Sequence, residues 1–216
     1  DVVEKLGRLE MSALALPRNN RHAMDRGMSP VRSLDFASQP TIRTPRLTLR
    51  KLKPEDQYRI AAAMQDIRVV RMLTSVPVPY ASDDALDWIR LWEGGEMNGW
   101  AHAITFDGGA LEGCITIEWR EAGDRTGWHL GYWLSPGHWG EGYMREAAGA
   151  VIERFFGRMM GETLFAGAIA DNPASLKVQD RLGFQVTGSG DVYSHSRGAM
   201  VPVIETEVTF GSFMPA

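Results

Sequence analysis

The stretch that most constrains the fold runs from Gly127 to Met159. Residues Gly127 to Leu134 are aromatic and aliphatic and read as a strand. Ser135-Pro136-Gly137-His138-Trp139-Gly140-Glu141-Gly142 follows as a turn and a glycine-rich loop. Behind it Met144, Ala148, Val151, Ile152, Phe155 and Met159 recur at helical spacing. A strand, a glycine loop and a helix start in that order are how main chain is built around a pyrophosphate. Glycine lets successive N–H groups approach an anion, and the helix N-terminus adds its partial positive charge. A lone G-x-G is weak, since a chain with 23 glycines holds such triplets by chance. The other one, Gly188-Ser189-Gly190, lies between strands with no helix behind it.

The remaining pattern predicts an α/β domain. Residues 1–38 are weakly patterned, with Leu6, Leu9, Met11, Leu14 and Leu16 spaced for a short helix, and read as an N-terminal extension or arm. Residues 39–216 form the domain. Arg46 to Leu52 alternates as a half-buried strand does, and Pro54-Glu55-Asp56 opens a helix carrying Ile60, Ala61 and Met64. A second helix starts at Ser82 and stops at Gly94-Gly95. Strands over Trp100–Phe106 and Leu111–Trp119 flank Asp107-Gly108-Gly109, a hairpin turn signal. Thr163 to Ile169 reads as a buried strand. Asn172 is the expected N-cap of a helix with Pro173 in its first turn, and Gly183 its stop. Phe184–Thr187 and Val201–Phe210 close the sheet, joined by a long glycine- and serine-containing connection. The order is β-α-α-β-β-β-α-β-α-β-β, a mixed, largely antiparallel sheet rather than a doubly wound one.

Composition narrows the function classes. A net charge of −4 argues against bulk neutralisation of a nucleic acid. Cys114 is the only cysteine, so the chain holds no internal disulfide or cysteine-based metal site, as suits a reducing compartment. The histidines His22, His102, His129, His138 and His195 show no paired ligand spacing. No apolar run approaches the ~18 residues of a membrane span. The first residues, Asp1-Val2-Val3-Glu4-Lys5, lack the basic and apolar regions of a secretory signal.

Gly131-Tyr132-Trp133-Leu134, Trp139-Gly140-x-Gly142-Tyr143, Glu146-Ala147, and Asn172-x-x-Ser175 with Leu182-Gly183-Phe184 stand in one order. Together they resemble the GCN5-related N-acetyltransferases (GNAT), most closely their RimJ/RimL-like branch of Nα-acetyltransferases, from about Thr41 to Phe210. The resemblance implies a mixed, mostly antiparallel sheet of six to seven strands, about four flanking helices, and splayed central parallel strands. It implies acetyl-CoA as co-substrate, with its diphosphate on the N–H groups of Gly140, Glu141, Gly142, Tyr143 and Met144. Trp139 and Arg145 stand beside that loop, and pantetheine would pair with the strand ending at Trp133 and Leu134. Asn172 would bond the pantetheine arm besides capping its helix. Ser175, in the first turn, would assist the departing thiolate. Lys177 is a surface residue in reach of a CoA phosphate.

The sequence departs from the relatives in three places. Gly137 stands where many carry Gln or Arg, and Glu141 where many are basic, so the Glu141 side chain should point outward. Gly167 and Gln179 stand where a RimI-like branch has its glutamate base and tyrosine acid. The base is open between His129, where relatives often have glutamate, and Glu118; ordered water needs neither. An imidazole titrates in the useful range. An α-amine with reference pKa about 8 needs less help than a lysine near about 10.4. The expectation is a cytoplasmic, acetyl-CoA-dependent N-acetyltransferase acting on a protein N-terminal amine or a small amine, with a homodimer plausible. Against it stand a non-catalytic acyl-CoA sensor and an aminoglycoside- or polyamine-type acetyltransferase.

Overall fold

The computed structural model describes residues 39–121 and 125–216. The expected N-terminal extension, with its short helix, lies outside these residues. The elements are β1 (Ile42–Arg43), β2 (Thr48–Lys51), α1 (Gln57–Gln65), α2 (Ile67–Val70), α3 (Ser82–Glu93), β3 (Gly99–Thr105), β4 (Gly113–Arg120) and β5 (Gly127–Leu134). Then come α4 (Tyr143–Phe156), β6 (Thr163–Ile169), α5 (Pro173–Arg181), β7 (Gln185–Ser194) and β8 (Ala199–Thr209). The strands form one eight-stranded sheet in the order β1-β2-β3-β4-β5-β6-β8-β7. Only β5 and β6 are parallel neighbours, because α4 carries the chain back across the sheet between them.

The sheet separates two apolar layers. Trp128, Leu130 and Leu134 of β5 face α4, where Ala148, Val151, Ile152 and Phe155 meet them in one core with Leu182 and Phe184. Trp133 of β5 and Cys114 of β4 face the other way, into a core with Ile60, Ala61, Met64, Trp88 and Ile89 from α1 and α3. Strand alternation thus decides which face of the sheet each side chain serves.

Local chemistry explains the element ends. Pro54–Asp56 is a 3-10 turn leading into α1, whose buried residues are Ile60, Ala61 and Met64. In the β3–β4 turn, Gly108 N–H donates to Thr105 Oγ1 at 2.8 Å and Gly109 N–H to Asp107 Oδ1 at 2.8 Å. The guanidinium of Arg50 grips Asp56 through two 2.8 Å bonds and also donates to the carbonyls of Gly108 and Gly109. That buried pair ties β2, the 3-10 turn and the hairpin together. Gly183 has φ +87°, and a Cβ there would sit 1.9 Å from the Ser212 carbonyl oxygen. Glycine ends α5 there and also admits the C-terminal segment.

Three local expectations change. The two-residue β1 and the one-turn α2 are additional elements. Gly188-Ser189-Gly190 is not part of a connection: it lies inside β7, which pairs with β8 from Gln185 to Ser194 with a register shift between Val186 and Gly188. No helix among the described residues is long and apolar enough to cross a membrane.

Candidate active site

The parallel ladder between β5 and β6 is short. It pairs Trp128 with Leu164 and His129 with Phe165, then stops, although β5 runs on to Leu134 and β6 to Ile169. Beyond that point β5 keeps its other partner β4, and β6 keeps β8. A V-shaped gap therefore opens in mid-sheet, with strand edges on both sides. Main-chain groups along such edges need partners, and an extended ligand supplies them as an added strand does.

The glycine loop lies at the mouth of the gap. Gly140 and Gly142 have φ +84° and +79°, and Gly142 is the residue that caps α4. A Cβ on Gly140 would meet nothing within 4 Å, and one on Gly142 only the Arg46 guanidinium, at 3.6 Å. The space above the loop is open, and the N-terminus of a 14-residue helix faces it. The loop is braced from below: Trp139 Nε1–H donates to the Leu134 carbonyl at 2.7 Å. Glu141 is exposed, its side chain outward as its acidity requires. Glu146, in the first turn of α4, accepts from the Thr44 hydroxyl at 2.6 Å and from the Arg46 main-chain N–H at 2.9 Å. Burial pushes its carboxyl up, but these bonds and the Arg46 charge outweigh it and hold the group below the usual carboxylate range.

One wall of the gap carries hydroxyls. Asn172 caps α5, its Oδ1 accepting the Ser175 N–H at 3.2 Å. Ser175 Oγ lies 2.9 Å from the Tyr132 hydroxyl. Gln179 Nε2 is 3.3 Å from Ser175 Oγ and donates to the Gly167 carbonyl at 3.4 Å, while Gln179 Oε1 accepts from Thr206 at 2.8 Å. Burial raises the Tyr132 phenol, against its bonds to Ser175 and Gln179, so it stays protonated at neutral pH. Tyr132 bridges from β5 across the gap to α5 on the α4 side of the sheet.

The opposite face carries the candidate bases. Glu118 and His129 are directly paired across β4 and β5, so their side chains share a face, and His129 is the last β5 residue before the gap opens. Position 129 is odd-numbered along β5 and position 132 even, which places His129 and Tyr132 on opposite faces. Glu118 is 3 % exposed; Oε1 is ion-paired with Arg120, and Oε2 has no hydrogen-bond partner among the described residues. His129 Nε2 lies 2.9 Å from the Arg125 carbonyl. A carbonyl only accepts, so Nε2 carries the proton and Nδ1 the lone pair. Burial lowers the imidazole to about 4, with Arg120 and Arg125 pushing the same way. Burial thus sets this imidazole below the range expected from its residue type, favouring the neutral ring at neutral pH. Arg125 lies over this face, 5.8 Å from the Phe165 ring and 2.8 Å from Glu205. Gly167, also on this face, is exposed.

Several other expected site residues do not turn a side chain into the gap, or have one without a partner. The side chains of Trp133, Leu134 and Met144 are packed in the two cores. Lys177 is exposed on α5, and the Arg145 Nε is buried with no partner among the described residues. Sequence reasoning missed Tyr132 and Arg46 as functional candidates and treated Gln179 only as a departure. The strand parity of Tyr132, one step from Gly131 and Trp133, was the available signal for the first. Nothing local marks Arg46, which reaches the loop from 95 residues upstream.

Comparisons with known proteins agree with this geometry. Residues 46–185 match the family model of the Acetyltransferase (GNAT) domain. The uncharacterised N-acetyltransferase p20 of Bacillus licheniformis is 27% identical over 165 residues, 76% of this chain and 92% of that protein. The crystal structure of a ribosomal-protein-S5-alanine acetyltransferase from Vibrio fischeri superposes with a TM-score of 0.65 at 19% identity, covering 82% of this chain and all of that one. The microcin C7 self-immunity acetyltransferase MccE, solved with acetyl-CoA and AMP, gives 0.63 at 14% identity over 77% of this chain and 93% of that one. With the family model spanning most of the sequence and the gapped sheet beneath a glycine loop, this chain belongs to the GNAT acetyltransferase family.

Proposed function

We propose that the protein is a cytoplasmic N-acetyltransferase of the RimJ/RimL-like type, carrying acetyl from acetyl-CoA to a primary amine. A protein N-terminal α-amine is the first choice of acceptor. The parting of β5 from β6 after His129 and Phe165, beneath the open loop of Gly140 and Gly142, carries this reading. The gap admits an extended thioester arm, and the two faces of the sheet divide the chemistry. Ser175, held by Tyr132, serves the sulfur from the α5 side. Glu118 and His129 serve the amine from the other.

The chemistry is direct attack. The ammonium first loses a proton, to the unpartnered Oε2 of Glu118 or to water. Its nitrogen then adds to the thioester carbonyl carbon, forming the C–N bond, and the C–S bond breaks. The second amine proton ends on sulfur, giving free thiol. His129 Nδ1 accepts a hydrogen bond from the incoming amine and does not take its proton, since its affinity for a proton is too low. Ser175 Oγ–H donates to the departing sulfur. Positioning supplies most of the rate gain, because a free α-amine is already nucleophilic near neutral pH. The likeness to a ribosomal-protein acetyltransferase supports a peptide acceptor only at the level of fold. A homodimer fits the same proposal.

The test is a screen that follows thiol release from acetyl-CoA, with N-terminal peptides and small amines in parallel. Turnover with peptides bearing a free α-amine, and none when that amine is blocked, is the expected result. Turnover confined to polyamines or aminoglycosides would replace the acceptor. Tight acetyl-CoA binding with no thiol release from any amine would replace the enzyme with a sensor.

A further inference from the structure

The phosphate loop is short of positive charge. Ser135 to Gly142 contains no Lys or Arg, and its one carboxylate is Glu141. Arg46, in the turn between β1 and β2, lies against this loop. Its Nε donates to Glu146 Oε2 at 2.6 Å and its Nη1 to the Glu141 main-chain carbonyl at 2.9 Å. Its Cζ sits 4.4 Å above the centre of the Tyr143 ring. These contacts fix the plane of the guanidinium, and they leave Nη2. That nitrogen makes no hydrogen bond among the described residues and stands 3.6 Å from the position of a Cβ on Gly142, at the rim of the open space. The side chain is 45% exposed. A guanidinium held by two carboxyl or carbonyl partners, with its third edge free beside a glycine loop at a helix N-terminus, suits a phosphate oxygen.

We propose that Arg46 is a phosphate-contact residue for the co-substrate: Nη2 donates to a phosphate oxygen of the CoA tail while Nε and Nη1 hold the loop in shape. This rests on the acetyl-CoA reading above. The diphosphate and the 3′-phosphate offer the same chemistry to Nη2, so the ligand series separates them.

Tryptophan fluorescence titrations of wild type, Arg46→Gln and Arg46→Lys with CoA, 3′-dephospho-CoA and pantetheine test it. Arg46→Gln should weaken CoA about tenfold or more, the scale of a charged hydrogen bond, and leave pantetheine unchanged. Arg46→Lys should fall between wild type and Arg46→Gln, because the charge remains while the fork that holds Glu146 and the Glu141 carbonyl is lost. An equal loss with 3′-dephospho-CoA assigns the contact to the diphosphate, and no loss with it assigns the 3′-phosphate. Undiminished CoA binding by Arg46→Gln overturns the proposal. So does an equal loss for pantetheine, or an Arg46→Lys as weak as Arg46→Gln, which would leave Arg46 only a loop brace. A wild-type protein that ignores CoA would instead remove the acetyltransferase reading on which the proposal stands.

Discussion

Ser175 and Tyr132 form a pair whose value lies in their being held together. The serine hydroxyl alone would rotate, and the 2.9 Å contact to the phenol, with Gln179 behind it, fixes its direction. Ser175→Ala should lower kcat by about a hundredfold to a thousandfold, the range for losing one donor to developing negative charge, with acetyl-CoA affinity intact. Tyr132→Phe should lower it less. Because the two act as a unit, the double variant should be no slower than Ser175→Ala alone; additive losses in a thiol-release assay would show separate roles. On the other face, His129 is about 4 rather than near neutral, so protonation of this ring shapes no rate change above pH 6. His129→Gln should reduce the rate while leaving the form of the rate–pH profile between pH 6 and 9 unchanged. A basic limb that disappears in His129→Gln would restore the imidazole as the base. Glu118→Gln, which removes the carboxylate with an unpartnered oxygen, should lower kcat/KM at every pH in that range.

At the scale of elements, the co-substrate role proposed for the loop before α4 rests on one backbone conformation. Valine at 142 meets two costs: the residue sits at φ +79°, where a β-branched side chain is strained, and its Cβ would enter the open space beside Arg46. Gly142→Val should abolish measurable acetyl-CoA binding by calorimetry while the fold survives, since nothing in either core contacts this position; retained affinity would dissociate the loop from the co-substrate. This loop was legible in the sequence because strand, glycines and helix period are all local signals. So were the N-cap of Asn172, the stop at Gly183 and the hairpin at Asp107-Gly108-Gly109. Less was legible where pairing is decided at a distance. A two-residue strand such as β1 has no period to detect. The Gly188-Ser189-Gly190 segment has poor intrinsic strand tendency, and becomes strand because β8 offers a continuous partner edge and a register shift absorbs the irregularity. Arg46 and the Tyr132–Ser175 contact follow from tertiary placement alone, and burial, not residue type, sets the histidine pKa.

The whole molecule concentrates two neutral imidazoles in its sheet, and this should set its response to acid. His102, in β3 between Lys51 of β2 and Ile115 of β4, is 3 % exposed, and burial lowers it to about 4; His129 is lowered to about 4 by the same cause. In the unfolded chain each ring titrates near about 6.5. Above that pH both states are neutral and the folded state keeps its full advantage. As pH falls from 6.5 toward 4, the unfolded chain binds protons that the folded chain refuses, so stability declines with two protons' worth of slope. A ring lowered from about 6.5 to about 4 costs on the order of 3 kcal/mol of stability by pH 4, a noticeable fraction of the ~5–15 kcal/mol typical of a domain. The ion-paired carboxyls of Glu146 and Asp171 are held below their ordinary range, so their contribution is lost only at lower pH. Urea unfolding should therefore show the loss beginning near pH 6.5, above the carboxylate range, and His102→Gln should halve the slope between pH 6 and 4.5 whatever its effect at neutral pH. A stability that stays flat from pH 6.5 to 4.5 in the wild-type protein would mean that these rings find a proton's worth of solvation inside the sheet, and that the interior around β3 and β5 is far wetter than its packing implies.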